Sequence, residues 1–265
     1  MPDPQNLFAA VRAVLSLAEA DEKLAATRQL LRGWRAGALE MGEFGIPLHA
    51  PARPARPELV APAKVPKRKG GSAEGRVHLI HAIAHIEFNA IHLALDAVQR
   101  FAGLPRDFYD DWLTVAAEEV YHFELVRAHL RHHGHDYGDF PAHNSLWENA
   151  EKSAHDPLLR MALVPRVLEA RGLDVNPGLQ QKLLDGGDAN GAALLTIILR
   201  DEVGHVAAGD RWFRYLCRQR GLDAEATFRE LVYGHFPKGL FGPFNLEARR
   251  LAGFSDAELA AMTAR

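Results

Sequence analysis

The sequence has one cysteine and no long apolar run. Cys217 cannot form a disulfide within the chain, which predicts a protein folded in a reducing compartment. No apolar stretch approaches the roughly 20 residues that a transmembrane helix needs. The early segment LFAAVRAVLSLAEA is interrupted by Arg12 and lacks a basic leader, so it indicates an amphipathic helix rather than a signal peptide. We therefore expect a cytoplasmic protein without membrane contact.

The chain also lacks a strong excess of either charge. Its 31 Lys and Arg against 34 Asp and Glu give a formal net charge of -3 and a pI near 6.5. This balance does not favour binding to nucleic acid or to an anionic lipid surface. A short basic run at Lys64, Lys67, Arg68 and Lys69 favours a solvated linker over a nucleic-acid or substrate contact. Nucleic acid stays a candidate partner that the charge does not support.

The apolar residues are spaced for helices along most of the chain. Hydrophobic residues make up 48% of the sequence, which is enough for a buried core. Residues 4–38 predict one or two short helices, and the prolines between residues 47 and 71 predict an extended strap that either lies on the protein or stays mobile. No alternation indicates a strand.

Beyond Gly75 the sequence predicts four longer helical segments. Two of them, at about 77–101 and 107–133, should form an antiparallel hairpin. A third starts after the N-cap Asp156 and should end early, at Gly172 and the run 176–178, before a short helix. The fourth spans about 190–220.

These segments predict an all-α fold built on a four-helix bundle. We expect N-terminal helices and a Pro-rich extended strap over residues 1–74, the bundle over 75–221, and a C-terminal extension of loop and helix over 222–265. All three parts should pack as one compact unit.

A doubled pattern of Glu and His stands in the predicted helices. Glu119 and His122 form one Glu-x-x-His element, and Glu202 and His205 form another. Residues three apart on a helix project from one face and can meet the same ion. With 14 His in 265 residues, a single element of this kind arises by chance about once. The specificity lies in the doubling, because a further Glu precedes each element by a similar distance.

The two additional glutamates are Glu87 and Glu169. Glu87 lies 32 residues before Glu119 (119 − 87), and Glu169 lies 33 residues before Glu202 (202 − 169). The turn near Gly103 is equally far from Glu87 and Glu119, so an antiparallel hairpin brings these two carboxylates to the same level. One Glu from each of two helices plus Glu-x-x-His from each of two others is the ligand set of carboxylate-bridged di-iron and di-manganese bundles. The predicted ligands are Glu87, Glu119, His122, Glu169, Glu202 and His205.

The donor types decide which metal is expected. Carboxylates with one imidazole per ion suit iron, our first choice, or manganese, and the lack of nearby thiols disfavours structural zinc. Glu118 and Asp201 directly precede the two elements and are either partners that orient the metal-bound imidazoles or solvated acids.

Two alternatives to metal chemistry also follow from the sequence. The glutamates could instead form partly exposed ion pairs with arginines such as Arg127, Arg166 and Arg200. For the other histidines we favour packing and helix-terminus contacts over metal binding. These are His81, His85 and His92 on the first long helix, and His129, His132, His133 and His135 at the end of the second.

Several longer motifs carry a family resemblance that covers nearly all of the chain. They are HAIAHIEFNAIHLALD (81–96), EEVYHFELV (118–126), YGDFPAH (137–143), VLEARGLDV (167–175), RDEVGHV (200–206) and GPFN (242–245). On these motifs the chain resembles an uncharacterised bacterial ferritin-like family, domain of unknown function 455. That family is similar in fold and ligand pattern to ferritin-like di-iron hydroxylases, including the bacterial tRNA hydroxylase that modifies an isopentenylated adenosine. The resemblance implies metal binding by the six residues but no substrate.

Three functions are compatible with these patterns. The first is an oxidoreductase in which a di-iron centre activates oxygen to hydroxylate or oxidise an organic substrate, with modified nucleosides or tRNA among the candidates and the electron donor open. The second is an iron-handling or ferroxidase-type protein without an organic substrate. The third, an RNA-binding module with a structural metal, is disfavoured by the net charge of -3.

Overall fold

The structure, a computed structural model, describes residues 5–66 and 72–263 and is mostly helical there. The described chain forms two compact units, one reaching to Trp147 and one beginning at Glu148. The division into three segments drawn from the sequence stays a prediction. The basic run from Lys67 to Lys69 lies outside the described residues. Within the described residues no helix is both long and apolar enough to cross a bilayer.

The first unit is built on two long antiparallel helices. Helices α1 (Leu7–Leu15) and α2 (Ala20–Arg35) precede α3 (Ala73–Arg100) and α4 (Arg106–His132), and α5 (Ser145–Glu151) spans the boundary of the unit. Because α1 and α4 both pack on α3, most of α3 is buried on every side. The expected hairpin is therefore confirmed with its ends shifted by a few residues.

Two short strands in this unit contradict the expectation of no strand. Strand β1 (Gln5–Asn6) pairs in parallel with β2 (Leu39–Glu40). Two residues are too few to show an alternating pattern in sequence, which is why these strands could not be foreseen.

The Pro-rich strap lies on the first unit over its described part. Its regular structure there is one 3-10 turn at Pro62–Lys64. The Gln99 side chain on α3 accepts from the backbone N–H of Leu48 at 2.8 Å and donates to its carbonyl at 3.1 Å. The backbone N–H of Val60 donates to the Ala142 carbonyl at 2.8 Å. These backbone contacts replace the hydrogen bonds that proline denies to a helix.

Lys23 on α2 is fully buried where the strap, α1 and α3 meet. Its ammonium nitrogen lies 2.8 Å from His92 Nε2 and donates to the carbonyl oxygens of Ala52 at 2.6 Å and Leu15 at 3.5 Å. Burial, with a smaller contribution from the charge of Arg53, lowers the pKa of Lys23 to about 7. The lysine therefore links three segments, and its burial destabilises the fold when the ammonium is charged.

The second unit contains a helical run interrupted in its hydrogen-bonding pattern rather than in its course. Helix α6 (Pro157–Leu163) continues through a π-helical segment, Val164–Glu169, into α7 (Ala170–Asp185). Helix α8 (Ala189–Gln219) packs against all three. Helices α9 (Ala224–His235), α10 (Leu246–Leu251) and α11 (Asp256–Thr263) form the C-terminal extension. The predicted N-cap is confirmed, since Asp156 accepts from Leu158 N at 2.8 Å.

The predicted end of the third helix near residues 172–178 is wrong. Helix α7 runs through Pro177, although an interior proline removes a hydrogen bond. The carbonyl that loses this bond, that of Leu173, accepts from Asn245 Nδ2 at 3.3 Å, and the buried amide of Asn176 donates to the Leu195 carbonyl on α8 at 3.0 Å. Packing against α8 overrides the local helix-breaking tendency.

The substitution Lys23→Met should change how stability depends on pH. In the unfolded chain Lys23 keeps its ordinary pKa of 10.5, so above about pH 7 the unfolded state binds more protons than the folded state. The wild type should then gain up to about 1.4 kcal/mol per pH unit relative to Lys23→Met between pH 7 and 10.5, and nothing below pH 7. Urea denaturation at several pH values measures this difference.

The matched control is Lys152→Met, which removes an exposed lysine. Its pH curve should run parallel to that of the wild type. If Lys23→Met also runs parallel, the buried lysine titrates at its ordinary pKa and the interpretation fails.

Candidate metal centre

Three of the predicted ligands come together in the first unit. His122 Nδ1 lies 3.4 Å from Glu119 Oε2 and 3.6 Å from Glu87 Oε2. Each of the three residues offers one ligand atom, and these atoms lie within 4.8 Å of one another. Glu119 and His122 are fully buried and Glu87 is 4% exposed. We call Glu87, Glu119 and His122 the first cluster; it could hold a metal ion.

Helix lengths explain why these side chains meet. Glu87 lies 13 residues before the end of α3 (100 − 87), and Glu119 lies 13 residues after the start of α4 (119 − 106). Both therefore stand about 20 Å from the turn, on neighbouring antiparallel helices. His122 follows one helical turn later on the same face as Glu119.

The second unit carries the other three predicted ligands. On α8, Oε1 of Glu202 lies 3.6 Å from His205 Nδ1, and both side chains are buried. Glu169 is the last residue of the π-helical segment and is half-buried. It lies 16 residues before the end of α7 (185 − 169), level with His205, which lies 16 residues after the start of α8 (205 − 189). We call Glu169, Glu202 and His205 the second group.

The electrostatics of the first cluster favour a cation. Burial alone would lower the pKa of His122, but the nearby carboxylates of Glu119 and Glu87 outweigh burial and raise it to about 11. The carboxylates thus hold a proton on the imidazole far above the ordinary pKa of a histidine. A divalent metal ion occupying the same space would displace that proton and meet oxygen and nitrogen donors suited to iron or manganese.

The arginines of the ion-pair alternative have other acidic partners. Arg127 bonds Asp136 at 2.7 Å and Asp21 at 2.5 Å. Arg166 lies 2.9 Å from Asp210 and 2.5 Å from Glu258, and Arg200 lies 2.7 Å from its neighbour Asp201. Each arginine therefore has a partner other than a predicted ligand.

The two acids proposed to orient the imidazoles differ in their surroundings. Glu118 is exposed to solvent. Asp201, with 19% of its side chain exposed, pairs with Arg200. Their roles beside a metal stay predictions.

The histidine stripe on α3 fixes the loop after α4. His81 Nε2 accepts from Gly138 N at 3.0 Å, and the two ring nitrogens of His85 lie 3.0 Å from the Tyr137 hydroxyl and from the His143 carbonyl oxygen. Burial lowers the pKa of His85 to about 4, so this ring is neutral. Packing explains these histidines, as the sequence indicated.

The sequence did not reveal Lys23 and offered Arg166 only for partly exposed ion pairs, whereas both cations are fully buried. Lys23 and Arg166 both lie in amphipathic segments, where a charged residue is expected to face solvent. Their partners His92 and Glu258 are 69 and 92 residues away in the sequence. The one local signal is that Arg166 stands one helical turn before Glu169.

The fold and site define a mostly helical protein with a carboxylate–histidine cluster that could hold a metal ion. The chain belongs to the family described as "Protein of unknown function (DUF455)", whose model matches residues 16–260. It is 50% identical over 215 residues to an "Uncharacterized protein" of Haemophilus influenzae, covering 78% of this chain and 75% of that relative. No solved structure matches the chain.

Divalent metal should stabilise the folded protein through the first cluster. At a free metal concentration about 100 times the dissociation constant, one site contributes about 2.7 kcal/mol. Glu119→Gln removes one buried charge while nearly keeping the shape, so the metal-free variant should melt higher than the wild type and respond less to metal. Anaerobic melting curves with and without ferrous or manganous ion measure both effects.

Glu230→Gln provides the control, because it removes an exposed carboxylate on α9 that has no predicted role at the metal. It should behave like the wild type in both states. If metal leaves the wild-type melting temperature unchanged and Glu119→Gln lowers it, the residues of the first cluster are ordinary structural groups.

Proposed function

We propose that Glu87, Glu119, His122, Glu169, Glu202 and His205 together bind two metal ions, iron by first choice and manganese as the alternative. The observation that carries the proposal is the first cluster, in which two buried carboxylates face one imidazole within 4.8 Å. The second group repeats the same residue types with the same Glu-x-x-His spacing on α8. This repetition supports a ferritin-like arrangement of the four long helical segments.

The donor set fits the proposed ions. Four carboxylates and two imidazoles give each ion one nitrogen donor and several oxygens, a combination that suits iron and manganese. The only cysteine, Cys217, is a buried free thiol and is not among the ligands. A free thiol also supports our proposal of a reducing, cytoplasmic setting.

We propose further that the protein is an oxygen-dependent oxidoreductase, a hydroxylase or oxidase of an organic substrate. When bound, a reduced di-iron centre supplies the electrons that activate oxygen. The chain's own part is to bind and orient the ions and to exclude water. Fully buried apolar side chains beside the ligands, among them Ala84, Ile91 and Ala116, serve that last purpose.

The resemblance to di-iron tRNA hydroxylases implies no substrate, and we take a modified nucleoside only as the first candidate to test. The net charge of -3 argues for a small molecule over a folded RNA. The alternative is a metal-binding, ferroxidase-type protein that handles iron without an organic substrate. Both functions use the same ligands, so oxygen uptake without product formation on candidate nucleosides would favour the alternative.

Replacing either imidazole should remove one metal ion and most oxygen reactivity. His122→Ala and His205→Ala each should lower bound iron from about two ions per chain towards one, because each ion depends on one histidine. Anaerobic loading with ferrous iron followed by oxygen, observed by absorption and Mössbauer spectroscopy, measures stoichiometry and reactivity together. His132→Ala, an exposed histidine on α4, is the control and should bind two ions.

Two results would contradict the proposal. A wild type that binds no iron would remove the metal centre. Oxygen consumption that is unchanged in both His122→Ala and His205→Ala would leave the metal but remove its role in catalysis.

A further inference from the structure

A second buried group of charges adjoins Glu169 in the second unit. Arg166 of the π-helical segment is fully buried, its Nε lies 2.9 Å from Asp210 Oδ1 on α8, and its Nη2 donates to Glu258 Oε1 on α11 at 2.5 Å. Arg214 on α8 donates to the same two carboxylates at 2.8 Å each. Two guanidinium groups offset two carboxylates, so these four residues, which we call the Arg166 cluster, are neutral as a set.

Three phenyl rings surround the Arg166 guanidinium. Its central carbon lies 3.9 Å from the ring centre of Phe228, 4.6 Å from that of Phe213 and 4.7 Å from that of Phe254. The planar guanidinium stacks on aromatic faces while its nitrogens bond carboxylates. Its position is therefore fixed by α8, α9 and the segment that leads into α11.

The π-helical segment is seated on the ligand face of α8. A Cβ atom at Gly209 would lie 2.2 Å from Cβ of Pro165, so only glycine allows this approach. Gly209 follows His205 by four residues and Glu202 by seven, which places all three on one face of the helix. The residue that touches this face, Pro165, directly precedes Arg166.

The hydrogen-bonding register of this segment decides where Glu169 points. A π-helical turn contains about one residue more than an α-helical turn, and such turns are frequent at functional sites. Return of Val164–Glu169 to the α register would shift Glu169 by one position, a rotation of about 100° around the helix axis. A rotation of that size would carry the carboxylate away from the face of α8 that bears Glu202 and His205.

We infer that Arg166 and Glu258 are positioning residues for the metal ligand Glu169, and that α11 thereby controls metal affinity. The inference rests on the proposed function, because it assumes that Glu169 binds metal. Arg166 ties the π-helical segment to α8 through Asp210 and to α11 through Glu258. Without the Glu258 carboxylate, the Arg166 guanidinium is paired with Asp210 alone. The π-helical segment can then relax toward the α register.

A purely structural role makes a different prediction. If the Arg166 cluster only fastens the C-terminal extension, its loss lowers the melting temperature and leaves metal affinity unchanged well below that temperature. A positioning role lowers metal affinity in a protein that is still folded. Residues that orient metal ligands from outside typically change affinity by about 10- to 100-fold.

The experiment compares anaerobic manganous-ion titrations of the full-length wild type, Glu258→Gln and Arg166→Lys, with free ion followed by electron paramagnetic resonance. Glu258→Gln removes the charge at constant shape, and Arg166→Lys keeps the charge but loses the fork that spans two carboxylates. Both should bind one of the two ions at least about tenfold more weakly. Glu258→Asp keeps the charge and should retain more of the affinity. Glu247→Gln, an exposed acid on α10, should match the wild type.

Backbone amide hydrogen exchange of the metal-free proteins gives a second measurement. It distinguishes a local change in the π-helical segment from a general loss of stability. Faster exchange confined to the π-helical segment in Glu258→Gln supports the inference. Wild-type metal affinity in Glu258→Gln and Arg166→Lys, with lower melting temperatures only, would overturn it while leaving the proposed function intact. A wild type that binds neither manganous nor ferrous ion would overturn both.

Discussion

Burial of carboxylates without enough positive charge is the constraint on which the rest of the site depends. The first cluster contributes two negative charges, from Glu87 and Glu119, and at most one positive charge, from protonated His122. All three side chains are at least nine-tenths buried, where a net charge is expensive. The raised pKa of His122 reflects this lack of positive charge, because the imidazole keeps a proton that an ordinary histidine would release. Divalent ions, as proposed, would supply the missing positive charge together with ligand bonds.

Long helices make this placement accurate. Rise per residue is constant along a helix, so equal distances of 13 residues from the turn bring Glu87 and Glu119 level without any local device. The neighbouring histidines on the far face of α3 reinforce the register, since His81 and His85 bond the loop that follows α4. In the second unit Glu169 stands at the end of the π-helical segment, just before α7.

The sequence was informative where chemistry and periodicity coincide. Glu119 and His122 could be placed on one helix face because their spacing is local, and Glu87 followed from the symmetry of a single hairpin. The sequence misled at Asn176 and Pro177, where a hydrogen bond to Leu195 on α8 sustains a helix that the local residues would end. The burial of Lys23 and Arg166 could not be predicted either, because the acceptors and rings that make it tolerable come from distant parts of the chain. Local patterns thus predict which residues can act, and tertiary partners decide which strained arrangements persist.

The two buried charge clusters differ in net charge, which is consistent with different roles. In the Arg166 cluster each carboxylate meets two guanidinium groups, and phenyl rings close around one of them. The charges of such a cluster balance within the protein, which suits a fixed structural joint. In the first cluster the acids outnumber the base, which is a poor design for stability alone, since replacing buried ions by neutral groups is often favourable. An imbalance of this kind is tolerated where an exchangeable cation is part of the working protein. The balanced cluster includes Arg166, three residues before Glu169, where a fixed backbone would help to hold this proposed ligand in place.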